Sequence, residues 1–156
     1  MSSLPTIGLL CDDQSRFTRN RIVATAQILV LTTAADSRGL LTAGQFPENF
    51  PFKPTRFFIV TKSPSGVERG GHAHHQCHQL LIATAGAVRV EFDDFNGTDT
   101  VTLDSPSIGL YIPPLVWAKQ TYIEEGASLV VLASHRYDPS DYIDDRGEAV
   151  RLRETS

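Results

Sequence analysis

Short apolar runs recur at roughly ten-residue intervals along most of this chain, each closed by Gly, Pro, Asn or Asp, a spacing that suits strands and excludes long helices. Val88-Arg89-Val90-Glu91-Phe92 alternates apolar with charged residues, the period of a half-exposed strand. D-D-F-N-G-T-D (93–99) follows as a hairpin turn, and T-V-T-L (100–103) as the returning strand. The same grammar predicts one or two strands in I-V-A-T-A-Q-I-L-V-L-T-T (22–33), with a helix as the competing reading of its Ala-containing part, before the turn Asp36-Ser37-Arg38-Gly39. Further strands are expected in L-L-T-A-G-Q-F (40–46), R-F-F-I-V-T (56–61), Q-L-L-I-A-T-A (79–85), around I-G-L-Y-I (108–112), over 115–122 and over 127–134. Three prolines make 47–54 an extended loop. The expectation is an all-β antiparallel sandwich or barrel over 21–156, preceded by an arm (1–20) and ending in a small helical or irregular tail.

Length and charge narrow the function. At 156 residues the chain fits one domain, and a net charge of −4 gives no basic footprint for nucleic acid. No run approaches the length of a membrane span. Cys11 and Cys77 form neither a C-x-x-C pair nor a zinc framework, and no segment before them resembles a signal peptide, so a soluble, reduced, cytoplasmic protein is expected.

The chemistry concentrates in Gly66–Gly86, which holds four of the five histidines. Alternation along a strand sends His72 and His74 to one face and Ala73 to the other. Arg69 precedes them across Gly70-Gly71, a pair that permits a tight backbone turn. By neighbour parity His75 points away from the pair and His78 away from Gln79.

Gly66, His72-x-His74, Gln79 and Gly86 have the spacing of the first cupin motif, with Gln79 in place of its usual glutamate. Gly109-Leu-Tyr-Ile-Pro-Pro-Leu-Val-Trp-Ala-Lys119 resembles the second motif, with Ala118 where a histidine is usual. That resemblance implies a double-stranded β-helix, a jelly-roll barrel, with His72 and His74 in the lumen. Two of four metal-ligand positions are thereby missing, whereas catalytic metal sites keep about three protein ligands, so neither metal nor other cofactor is expected.

More closely, the chain resembles the sugar nucleotide 3,4-ketoisomerases, cupins acting on dTDP-4-keto-6-deoxyglucose. D-S-R-G (36–39), R-G-G-H-A-H (69–74), L-D-S-P-S-I-G-L-Y-I-P-P-L-V-W (103–117), V-L-A-S (131–134) and Y-D-P-S-D-Y-I (137–143) carry that resemblance. It implies a metal-independent isomerase of deoxysugar and O-antigen biosynthesis. It further implies His72 as the shuttle base and His74 as its partner, an order the residues leave open. Arg69, Arg56, Arg38, Gln79, Tyr111 and Trp117 are the implied substrate-binding residues, Arg38 through the diphosphate. Histidine suits such a reaction because its ordinary pKa lets it both take and return a proton near neutrality. The acidic, aromatic tail (137–145) is expected to dock rather than catalyse. The resemblance also implies a homodimer with exchanged amino-terminal strands. A tyrosine frequent in the family on the strand after Arg56 is replaced here by Phe57-Phe58, which, with Ala118, leaves product stereochemistry and the sugar nucleotide open. A metal-dependent cupin enzyme and a non-catalytic sugar-nucleotide-binding cupin are the alternatives.

Overall fold

The structure is a computed structural model that describes residues 25–46, 48 and 50–156. The arm 1–20, with Cys11, lies outside the described residues. The strands are β1 (Gln27–Val30), β2 (Thr32–Asp36), β3 (Gly39–Ala43), β4 (Arg56–Ser63), β5 (Glu68–His74), β6 (Gln79–Ala85), β7 (Val88–Asp93), β8 (Thr98–Leu103), β9 (Ile108–Ile112), β10 (Trp117–Tyr122), β11 (Ala127–Ala133) and β12 (Tyr142–Ile143). Among the described residues one α-helix, α1 (Arg146–Glu154), follows β12, and a single 3-10 turn (Pro139–Asp141) precedes that strand. Among the described residues no helix is long and apolar enough to cross a membrane.

Two five-stranded antiparallel sheets, ordered β1-β9-β6-β11-β4 and β12-β5-β10-β7-β8, face each other, and β2-β3 forms a separate hairpin. This is the expected cupin jelly roll. Side chains alternate across each sheet, so one set from every strand meets in the interior. Leu81, Val90, Phe92, Leu110, Ile112, Leu129 and Val131 are among the buried residues of that core, with Phe58 and Val60 of β4 packed against it. At roughly 1.5–3 kcal/mol for each fully buried large aliphatic or aromatic side chain, this interior supplies the main force holding the sheets face to face.

A second, smaller cluster lies on the outside of the β5 sheet. Ala73, Ile143 and Ala149 are buried there, with Phe95, Leu115, Trp117 and Leu152 packed on them. It fastens the tail to the barrel. Asp145 caps α1 by accepting from the Glu148 backbone N–H at 2.7 Å, and β12 pairs with β5 through Tyr142 opposite His74 and Ile143 opposite Ala73. The amino-terminal strand β1 pairs with β9 of its own chain.

Candidate active site

The site is built on β5. Gly70 and Gly71 have φ of +80° and +77°, and between Ala118 and Lys119 the pairing with β10 slips, so that Ala118 opposes His72 while Lys119 opposes Gly70. This one-residue bulge resets the alternation. Arg69 lies three residues before His72 and by plain parity would face away. Instead it pairs with Gln120, which faces the lumen, so Arg69 joins the histidine face. A side chain at Gly70 would bring its Cβ to 2.8 Å from the Ala118 carbonyl oxygen, which is why glycine stands there.

His72, His74, Gln79, Ile112, Ala118 and Gln120 line one interior pocket. The two imidazoles meet edge to face, 5.0 Å between centroids. His74 Nδ1 lies 3.0 Å from Asp141 Oδ2, and His74 Nε2 lies 3.2 Å from Gln79 Nε2. A carboxylate accepts and an amide nitrogen donates, so these contacts fix one tautomer: Nδ1–H donates to Asp141, and the Nε2 lone pair accepts from Gln79. Asp141 is itself held by the backbone N–H groups of Gln76 and Cys77.

Burial, and then the neighbouring His72, push the His74 imidazole down to about 4, against the opposing pull of Asp141. His72 is also held below its ordinary value, by burial first, with Asp144 and a hydrogen bond to the Gly70 carbonyl acting against it. Both rings are therefore neutral at working pH. Neutral imidazole is the form that abstracts protons.

Arginine and aromatic side chains form the wall nearest His74. Arg56 Cζ lies 5.4 Å from the Phe58 ring centroid and 5.5 Å from that of Tyr137. Its Nε is buried with no hydrogen-bond partner among the described residues, and its charge also lowers the His74 pKa. Tyr142 packs on both histidines, with centroids 4.8 Å from His72 and 4.5 Å from His74.

The structure thus gathers His72, His74, Gln79, Arg56 and, on the same face, Arg69. Three expected residues lie elsewhere. Ala118 points into the lumen, so Trp117 beside it points outward and packs in the cluster under α1. Leu110 and Ile112 are core residues, so Tyr111 between them faces the other side of its sheet, where its hydroxyl meets His78 Nδ1 at 2.7 Å. Arg38 stays in the β2–β3 turn, paired with Asp36 and with an 89 % exposed side chain. These three expected substrate-binding residues are therefore not gathered beside His72 and His74, by alternation for Trp117 and Tyr111 and by the hairpin's position for Arg38.

Asp141, Tyr142 and Gln120 were missed. The tail docks, as its composition implies, but it also delivers a carboxylate and a phenol to the histidines. The sole sequence signal was D-Y-I, whose proximity to β5 is a tertiary fact.

The family model described as WxcM-like, C-terminal (FdtA) matches residues 24–154. The chain is 40% identical over 108 residues to the TDP-4-oxo-6-deoxy-alpha-D-glucose-3,4-oxoisomerase of Aneurinibacillus thermoaerophilus, an alignment covering 69% of this chain and 78% of the relative. Among solved structures, a double mutant of the QdtA 3,4-ketoisomerase from Thermoanaerobacterium thermosaccharolyticum, in complex with TDP, matches with a TM-score of 0.82 and 33% identity over 86% of this chain and 97% of that one. A histidine-to-asparagine mutant of the same enzyme, in complex with TDP-4-keto-6-deoxyglucose, matches at 0.81 and 31% over 86% and 97%. Matched over nearly its whole described length, and carrying the histidine pair in the lumen of the same jelly roll, the chain belongs to the WxcM-like, C-terminal family and is a sugar nucleotide 3,4-ketoisomerase.

Proposed function

We propose that the reaction runs on dTDP-4-keto-6-deoxyglucose, moving its ketone to carbon 3 by a histidine proton shuttle, with His74 as the base. The observation that carries this assignment is the Asp141–His74–Gln79 chain of hydrogen bonds, which presents a neutral imidazole with its lone pair directed into the lumen. Among the described residues no carboxylate is hydrogen-bonded to His72, on which Asp144 acts through its charge alone, and His72 suits the role of proton relay to the sugar oxygens. In the order first drawn from resemblance these two roles are exchanged.

In the resting site the Gln79 amide occupies the His74 lone pair. A sugar oxygen that takes up that N–H uncovers Nε2 beside carbon 3. Nε2 removes the carbon 3 proton, the electron pair moves into an enediolate, and the imidazolium so formed is stabilised by Asp141. The same proton returns to carbon 4 as the ketone forms at carbon 3. Negative charge on the intermediate needs donors already in place, and the unpartnered Arg56 Nε, the Gln79 amide and Gln120 are the groups available to supply them. Arg69 and Arg56 suit the diphosphate as well as the sugar, through paired guanidinium donors. Phe58, not Phe57, is the ring beside Arg56, so Phe58 is the residue that stands for the family's frequent tyrosine. The relative's histidine mutant in complex with the keto sugar supports a site in which a histidine can be lost without losing the sugar.

Incubating the chain with dTDP-4-keto-6-deoxyglucose in the presence of a chelator should yield the 3-keto isomer. His74→Asn should lower kcat on the order of 10²–10⁴-fold while TDP still binds; a fully active His74→Asn variant would overturn the assignment of the base.

The biological setting we propose is cytoplasmic deoxysugar and O-antigen biosynthesis, with the enzyme working as a homodimer with exchanged amino-terminal strands; β1 pairs with β9 of its own chain, so the exchanged strands are those of the separate β2–β3 hairpin. Apolar surface supports the dimer: Phe57 and Ile59, on the outer face of β4, are 66% and 54% exposed, and Leu41 of the β2–β3 hairpin is 61% exposed. A second copy is the natural cover for such a surface.

A further inference from the structure

We propose that His74, Cys77 and Asp141 form a binding site for a thiophilic divalent cation of the Zn²⁺ class, and that filling this site switches the isomerase off. The second half of the inference rests on His74 being the base. The three residues offer an imidazole nitrogen, a thiol and a carboxylate oxygen, all within 4.8 Å of one another. Three such ligands with one open position are a common zinc arrangement. Tetrahedral bonds of about 2.0–2.3 Å would set the ligand atoms roughly 3.5 Å apart, so the widest pair closes by about 1 Å.

Two features make the set more than a chance grouping. The Cys77 side chain is buried, the residue being 2% exposed, and its thiol makes a single long contact, 3.5 Å to the carbonyl of adjacent His78. Lying within 4.8 Å of the other two ligand atoms, it has no firmer partner among the described residues. The carboxylate is also held in place, because Asp141 Oδ1 accepts from Gln76 N–H at 2.8 Å and Oδ2 from Cys77 N–H at 3.3 Å. Asp141 also lines a surface cleft of about 480 Å³ bordered by His75, Ser134, His135, Arg136 and Asp138, which opens the carboxylate end of the group to solvent, while His74 and Cys77 line the interior pocket.

This set differs from the usual cupin metal position, whose remaining ligands would stand at Gln79 and Ala118. It takes His74 through Nδ1, the nitrogen now bonded to Asp141. Coordination releases the Cys77 thiol proton to solvent. It also removes the Nδ1 proton, and the neutral ring takes one up on Nε2 instead. The lumen-facing nitrogen then becomes a donor and can no longer abstract the carbon 3 proton.

Cobalt(II) reports a thiolate ligand directly. Titrating the full chain with Co²⁺ should raise a near-ultraviolet thiolate-to-cobalt charge-transfer band that saturates at one equivalent, and Cys77→Ser, which leaves Cys11 in place, should abolish it. Zn²⁺ should lower kcat with KM little changed, EDTA should restore it, and Cys77→Ser should raise the Zn²⁺ concentration for half inhibition at least tenfold. Absence of the band in the unmodified chain, its persistence in Cys77→Ser, or equal Zn²⁺ inhibition of both proteins would each overturn the proposal. The cobalt band requires no turnover, so it decides the site even if the chain proves inactive on the keto sugar, an outcome that would count against the proposed function alone. Should Cys77→Ser not fold, Cys77→Ala takes its place, because loss of the band in a Cys77 variant is what distinguishes this thiol from Cys11.

Discussion

His74 is where burial and catalysis meet. In the unfolded chain its imidazole titrates near 6.5, whereas in the barrel it stays neutral down to about 4. Between those values the unfolded chain binds more protons, so the contribution of this residue to stability is intact above pH 6.5 and is lost as pH falls through the window, levelling off near 4. The loss at saturation is on the order of 3 kcal/mol. Urea unfolding at pH 7.5, 6, 5 and 4 should show this decline, and His74→Gln should flatten it. Asp141→Asn tests the other end of the hydrogen-bond chain. An amide in place of the carboxylate removes the fixed acceptor for Nδ1–H and the charge that stabilises the imidazolium, so kcat should fall about 10²-fold or more while KM moves little. Equal loss in both parameters would mark Asp141 as a substrate ligand instead.

At the scale of elements, the bulge in β5 and the tail that clips onto it decide whether the site exists. Gly70→Ala would put a side chain on a positive-φ position and against the Ala118 carbonyl, at a cost of about 1–3 kcal/mol. Because the bulge also sets the face of Arg69, turnover should fall further than stability alone accounts for. A denaturant midpoint unchanged from the parent would refute the strain argument. The tail acts through Ile143, which is 1% exposed in the outer cluster beside Ala73. Ile143→Ala should cost about 2–5 kcal/mol. It should also lower kcat more than TDP affinity, since β12 positions Asp141 and Tyr142; calorimetric TDP binding beside steady-state kinetics separates the two effects. Trp117 belongs to the same outer cluster, so Trp117→Phe should move Tm more than KM.

For the whole molecule, the exposed apolar face of β4 and the β2–β3 hairpin carry the assembly argument. Replacing Phe57 and Ile59 together by Asp and Lys should leave the fold intact, as both side chains face outward, and convert a dimer to a monomer by light scattering. Truncation before residue 35 should impair dimerisation as well. An unchanged mass in both experiments would remove the dimer from the proposal.

Much of this molecule was legible in the residues alone. Period-two alternation and regular turns determined an all-β chain, and the one-residue gap between His72 and His74 determined that they share a face, whereas the place of Gln79 beside them, on the opposite sheet, was implied only by the cupin resemblance. The first two are local facts, because strand geometry fixes the direction of each side chain relative to its near neighbours. Tertiary structure decided the rest. Whether Trp117 or Ala118 faced the lumen depended on which side of β10 the other sheet packed against, and Arg69 reached the histidine face through a slip in pairing with a partner strand. Asp141 meets His74 across 67 positions of sequence. Alternation specifies which residues share a face, but only the packing of the two sheets and the docking of the tail specify which face becomes the site, because distant contacts carry no periodic signature along the chain.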